Sequence, residues 1–89
     1  MVTVLGKETT QLNVIVKTSS ETLFEGVAAS VTSTNAKGEF DVLPQHANFI
    51  TLVTEYVVID RGRVTEKEFK LEKGLLSAIL DDVSVYVGL

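Results

Sequence analysis

Apolar and polar positions alternate along most of this chain with a period of two. Leu12, Val14 and Val16 fall on one side and Asn13, Ile15 and Lys17 on the other, which predicts a strand over 12–17. Thr18-Ser19-Ser20-Glu21 is a turn cluster. Leu23 and Phe24 follow, Gly26 marks a bulge or bend, and Val27, Ala29 and Val31 share a face against Ala28, Ser30 and Thr32. Asn35-Ala36-Lys37-Gly38 has the composition of a hairpin loop, after which Phe40 and Val42 point one way and Glu39 and Asp41 the other. Pro44 cannot donate to a sheet ladder, so this strand ends there, and Gln45-His46-Ala47-Asn48 leads over to a short strand from Phe49 to Val53. Tyr56 to Ile59 comes next, and Arg61-Gly62 reads as a hairpin turn into Val64 to Glu72. Leu75 to Leu80 and Val83 to Val87 close the series around an Asp81-Asp82 turn.

One segment admits a second reading. Glu66 to Leu80 is rich in Glu, Lys and Leu, and Phe69, Leu76 and Leu80 would line one face of a helix. Gly74 interrupts that helix, while Phe69 and Leu71 alternate with Glu68, Lys70 and Glu72, so the local pattern favours strands. About eight to ten short strands rich in Val and Thr predict an all-β protein, a flattened antiparallel β-sandwich. Tyr56-Val57-Val58-Ile59 is apolar on both faces, and Ile15 points away from Leu12, Val14 and Val16. Each implies either burial on both sides or an exposed docking face.

The 89 residues suit a single sandwich domain over 1–89, with residues 1–11 as a polar lead-in. A hydrophobic share of 45% supports a packed interior, and the absence of cysteine removes disulfides, thiolate metal sites and thiol nucleophiles. Twelve acidic residues against 8 basic give a net charge of −4. The densest basic stretches are interleaved with Asp60, Glu66, Glu68 and Glu72, which weighs against nucleic-acid binding. The start of the chain has no signal-peptide character, and no window approaches the ~20 apolar residues that span a bilayer. Membrane association is therefore expected only through partners, without direct insertion.

His46 is the single histidine and the one side chain that titrates near neutral pH unperturbed. Asp41 and Glu39 are the nearby carboxylates, but there is no cysteine and no second histidine. A metal site of one histidine and two carboxylates has nothing to fix its spacing, and no cofactor is expected. An interface loop residue or a structural hydrogen bond are the simpler roles. Asp81-Asp82 is read as a turn rather than a metal pair, and Glu39 taken alone is a solvated turn glutamate.

The order Gly38-Glu39-Phe40-Asp41-Val42-Leu43-Pro44, followed by His46-Ala47, resembles the N-terminal β-sandwich domain of the epsilon subunit of F-type ATP synthases. Leu12 to Val16 with Leu23-Phe24-Glu25-Gly26 is similar to that family's opening strand and turn. Gly74-Leu75-Leu76 with Asp81 to Val85 is similar to its closing hairpin. The family often has Gly in place of Asp41 and Pro in place of Asn48, and a Pro-Gly turn common in it is missing around Val53-Thr54-Glu55. Many members continue into a C-terminal helical hairpin, and this sequence stops at Leu89.

The resemblance implies a non-catalytic central-stalk subunit of a proton- or sodium-driven synthase, without an inhibitory C-terminal arm. Its partners would be the gamma subunit and the c-subunit ring, with the catalytic alpha/beta head reached indirectly. Its place would be the cytoplasmic face of a bacterial plasma membrane. The implied interface positions are Glu39 with Gly38 on the c-ring side, His46 with Gln45 near the junction of c-ring and gamma, and Thr18 near gamma. A free-standing β-sandwich adaptor or ligand-binding module is the alternative, and an enzyme using His46 is a third.

Overall fold

A computed structural model of the chain describes residues 11–45 and 48–88. These residues form seven strands and no helix: β1 Leu12–Lys17, β2 Thr22–Ala28, β3 Val31–Asn35, β4 Gly38–Val42, β5 Phe49–Ile59, β6 Lys67–Ile79 and β7 Asp82–Val87. All seven join in one hydrogen-bonded sheet of order β2-β1-β7-β6-β5-β3-β4. Neighbours are antiparallel except β1 and β7, which run parallel with Val14 opposite Val83 and Val16 opposite Val85.

The sheet folds over on itself. β2 and β6 stand three places apart in the strand order. In a flat sheet that separation would be roughly 14 Å, at about 4.8 Å per strand. Yet the rings of Phe24 on β2 and Phe69 on β6 lie 6.4 Å apart. Inward side chains from all seven strands accordingly meet in one cluster, from Leu12, Val14 and Val16 through Ala28, Val31 and Val42 to Val57, Leu76 and Val85. Phe40 and Phe49 pack edge to face on it at 5.7 Å. This is the expected all-β flattened sandwich, with β1 and β7 as its one parallel pair.

Two of the strands are long and bent where the sequence reads as broken. Against β5, the register of β6 slips between Val53 opposite Gly74 and Glu55 opposite Leu71, so two residues of β6 face one of β5. This bulge turns the strands between the layers. Gly74 sits at that corner because a Cβ there would lie 2.8 Å from the Tyr86 carbonyl oxygen. Lys67–Ile79 is thus strand, as the alternation within 66–80 favours.

Local details depart from the pattern in three places. Ala29 and Ser30 link β2 to β3 instead of continuing a strand, so Ala28 faces the core while Val27 is exposed. The connection after β5 is a loop over 60–66, closed by Arg63 N–H to Asp60 O and Glu66 N–H to Arg63 O, both 3.0 Å, and not a two-residue hairpin at Arg61-Gly62. The β6–β7 turn falls one residue before the expected Asp81-Asp82 pair: Ile79 pairs with Asp82, and the central residues are Leu80 (φ 51°) and Asp81 (φ 69°). Positive φ at both central positions is the primed turn that matches strand twist. Val57, Val58 and Ile59 are all buried, Val57 and Ile59 within the core cluster, so this part of the doubly apolar stripe is not an exposed docking face.

Candidate functional site

Glu39 stands at the start of β4, just after the Ala36-Lys37 turn. Asn35 builds that turn, its Oδ1 accepting from the Lys37 N–H at 2.8 Å. Gly38 follows at φ 119°, a conformation that L side chains rarely adopt, which explains the glycine at the first position of the strand. The Glu39 carboxylate is not simply solvated. Its Oε2 accepts from the Tyr56 hydroxyl at 2.5 Å and pairs with the Arg61 guanidinium at 2.9 Å. Arg61 also lies over the Tyr56 ring, 5.7 Å from its centroid.

The Tyr56 hydrogen bond, opposed by partial desolvation and helped by Arg61, holds the Glu39 carboxyl below the ordinary glutamate value. The same bond to Glu39 raises the Tyr56 hydroxyl above its ordinary range. The cluster joins β4 to the far half of β5 and to the 60–66 loop across the intervening strand β3.

Gln45 lies beyond the other end of β4, at φ 65°, and its N–H donates to Asp81 Oδ1 at 2.7 Å. Asn48 Oδ1 accepts from Leu80 N–H at 2.9 Å, so the β4–β5 connection is fastened to the β6–β7 turn from both sides. His46 lies outside the described residues. Beside this connection Leu43 is exposed, and Leu80 at the turn tip is 79% exposed.

Thr18 closes the β1–β2 hairpin. Its Oγ1 accepts from the N–H groups of Ser20 (3.2 Å) and Glu21 (3.1 Å), while its own N–H donates to Glu21 O at 2.8 Å. That is the local turn geometry threonine favours. Thr18 and Gln45 stand at opposite ends of the parallel β1–β7 pair, since Lys17 pairs with Tyr86 while Gln45 is held at Asp81. Gly38 and Glu39 form a third location, separated from Gln45 by the length of β4. Among the described residues, Thr18, Gln45 and the Gly38-Glu39 pair therefore do not form one patch, and they mark three different parts of the rim.

What lies between them is an outer sheet face that the sequence pattern did not single out beyond Ile15. Cross-strand pairing sets Ile50, Ser77, Ser84, Ile15 and Glu25 in one row, and Leu52, Leu75, Tyr86 and Lys17 in the next. Ile79, Asp82, Asn13 and Val27 form a third. Ile50 and Leu52 are 61% and 60% exposed, and Val27, Ile79 and Tyr86 are exposed as well. Polar residues break up the rows: Asn13 donates to Asp82 at 3.1 Å, and the Lys17 ammonium sits 5.0 Å from the Tyr86 ring centroid. An aliphatic face with interleaved polar groups has the composition of a protein-docking surface. The signal in the sequence is the run Phe49-Ile50-Thr51-Leu52-Val53, apolar on both phases.

Among the described residues no three of His, Asp and Glu gather as metal ligands, and no helix is long and apolar enough to cross a membrane.

Residues 11–88 match the family described as ATP synthase, Delta/Epsilon chain, beta-sandwich domain. No curated protein matches the chain. Among solved structures, it is similar to a chain in the cryo-EM structure of Euglena gracilis mitochondrial ATP synthase, OSCP/F1/c-ring in rotational state 1. That likeness has a TM-score of 0.81 at 14% identity and covers 92% of this chain and 53% of the other. A chain in the cryo-EM structure of the central stalk and c-ring of Tetrahymena thermophila mitochondrial ATP synthase gives a TM-score of 0.71 at 9% identity, covering 91% of this chain and 65% of the other. The chain thus spans about half to two thirds of these structural relatives. At such identities the structural likeness concerns the fold.

Proposed function

Because this chain belongs to the ATP synthase delta/epsilon-chain β-sandwich family, we propose that it serves as a non-catalytic component of the central stalk of a proton- or sodium-driven ATP synthase. In that role it links the gamma subunit to the c-subunit ring, so that ring rotation turns the stalk. Its attachment to the membrane is then indirect, through the assembled complex, and the alpha/beta head is reached only through gamma.

The observation that carries this reading is the exposed aliphatic face on an otherwise complete sandwich. Ile50, Leu52 and Ile79 stand on the outside of strands whose inner residues Val53, Leu76 and Ala78 already fill the core. Surplus apolar surface of this kind suits a long-lived contact with another protein. We assign this face to gamma. The rim position of Glu39 goes to the c-ring, with Gly38 shaping its turn. Gln45 and His46 are assigned to the junction of the two partners, and Thr18 to the gamma side. A body of two layers sharing one close-packed core resists compression, as transmission of torque requires.

Size-exclusion chromatography of the chain mixed with its cognate gamma subunit tests the assignment. One shifted peak containing both proteins in equal amounts is expected. Two unshifted peaks at micromolar concentration would overturn the rotor reading and favour a free-standing adaptor.

A further inference from the structure

Both interactions that hold Glu39 fall on the same oxygen. Oε2 takes the Tyr56 hydroxyl and the Arg61 guanidinium, and among the described residues Oε1 takes no hydrogen bond or ion pair. The anchors come from separate parts of the chain. Tyr56 belongs to β5, Arg61 to the 60–66 loop, and β3 lies between them and β4 in the sheet. Both Glu39 and Arg61 side chains are about half exposed, and an ion pair in that setting adds little to folding stability. Its effect lies in restricting the carboxylate to one placement.

We infer that Tyr56 and Arg61 are positioning residues that hold the Glu39 carboxylate by Oε2 and leave Oε1 for a hydrogen-bond donor on the c-ring. The inference rests on the assignment of Glu39 to the c-ring. A free glutamate at a rim would lose side-chain rotamer freedom on docking, and that loss subtracts from affinity. Here much of it is lost already in the unbound protein. The arrangement also selects the partner's chemistry. Arg61 largely neutralises the carboxylate at short range, so a lone distant cation is attracted weakly, while an N–H or cationic donor that reaches Oε1 directly gains a charge-assisted bond.

The test is a double-mutant cycle on binding to the cognate c-ring, read by surface-based affinity measurement with the chain bound to gamma. Glu39→Ala, Tyr56→Phe and Arg61→Gln are compared singly and in pairs with Glu39→Ala. Tyr56→Phe keeps the ring and removes only the hydroxyl. Tyr56→Phe and Arg61→Gln are each expected to weaken ring binding by about three- to tenfold when Glu39 is present, and to add nothing once Glu39 is alanine. A partner-free readout accompanies the cycle: NMR titration of the Glu39 carboxyl, which should move up toward the ordinary glutamate value in Tyr56→Phe.

If Glu39→Ala weakens binding while Tyr56→Phe and Arg61→Gln leave it unchanged, the positioning role is overturned and the ring contact stands. An unmoved Glu39 titration in Tyr56→Phe overturns it as well. If Glu39→Ala itself leaves ring binding unchanged, the assignment of Glu39 to the c-ring fails, and the inference fails with it.

Discussion

The main-chain N–H of Ala29 donates to Oδ1 of Asp60 at 2.6 Å, tying the link between β2 and β3 to the end of β5. The contact is reciprocal, because the Asp60 N–H donates to Ser30 O at 3.0 Å. Oδ2 of the same carboxylate accepts from the Thr65 hydroxyl at 2.7 Å, which fixes the 60–66 loop that carries Arg61. Asp60 is only 7% exposed and sits at φ 55°, a conformation aspartate tolerates better than most residues. One side chain therefore ties its own loop to the β2–β3 link, which is 31 residues away in sequence.

Removing that carboxylate should destabilise the sandwich. Asp60→Ala leaves the Ala29 N–H without its acceptor, at a cost of about 1–3 kcal/mol in urea denaturation. Burial alone would raise the Asp60 pKa, but the bonds from Thr65, Ala29 and Ser30, with Arg63 nearby, outweigh it and leave it below the ordinary value. The folded state therefore releases the proton more readily than the unfolded chain does. The resulting stabilisation is complete above the unfolded pKa of about 3.9 and is lost as pH falls through the lower folded value. In Asp60→Asn this component of the acid-induced loss of stability should disappear.

Leu80 holds a left-handed conformation at the tip of the β6–β7 turn, where Asn or Gly is the usual residue. An exposed leucine at φ 51° gains nothing for the fold from either its backbone or its side chain. Leu80→Asn should raise stability by roughly 0.5–1 kcal/mol, read as an upward shift in thermal midpoint. If Leu80 extends the docking surface, the same substitution should weaken assembly while it stabilises the isolated chain.

On the outer face, Leu52→Glu should separate folding from docking. The side chain is 60% exposed, so stability should stay within about 0.5 kcal/mol of the parent. Binding to gamma should fall by about tenfold or more, because a carboxylate replaces an aliphatic contact in a desolvated interface. Unchanged gamma affinity would remove this face from the proposed interface.

The fold was legible wherever the alternation is unbroken, as in Leu12–Lys17, where the inward set Leu12, Val14 and Val16 is buried as the pattern predicts. It was less legible in β6. Phe69 and Leu71 pack on the core from odd positions, Leu76 and Ala78 from even ones, because one inserted residue at the bulge flips the phase. A strand that changes phase reads as two strands. The turn glycine at Gly38 and the break at Pro44 were visible from composition alone.

The partners of Glu39 were not, because Tyr56 and Arg61 reach it only through the pairing of β3 with both β4 and β5. The exposed aliphatic face was hidden for a related reason. Phe49 to Val53 looks the same whether both phases are buried or only one is, and only the layer arrangement leaves Ile50 and Leu52 uncovered.

The central proposal is that this chain couples gamma to the c-ring, and the most direct measurement is ion transport driven by ATP hydrolysis in reconstituted vesicles. Complexes assembled with and without the chain would be compared for hydrolysis rate and for the ion gradient formed. With the chain present, hydrolysis should build a gradient. Without it, hydrolysis should continue while the gradient falls to background, and adding the purified chain should restore it. A gradient of equal size in complexes that lack the chain would contradict the account.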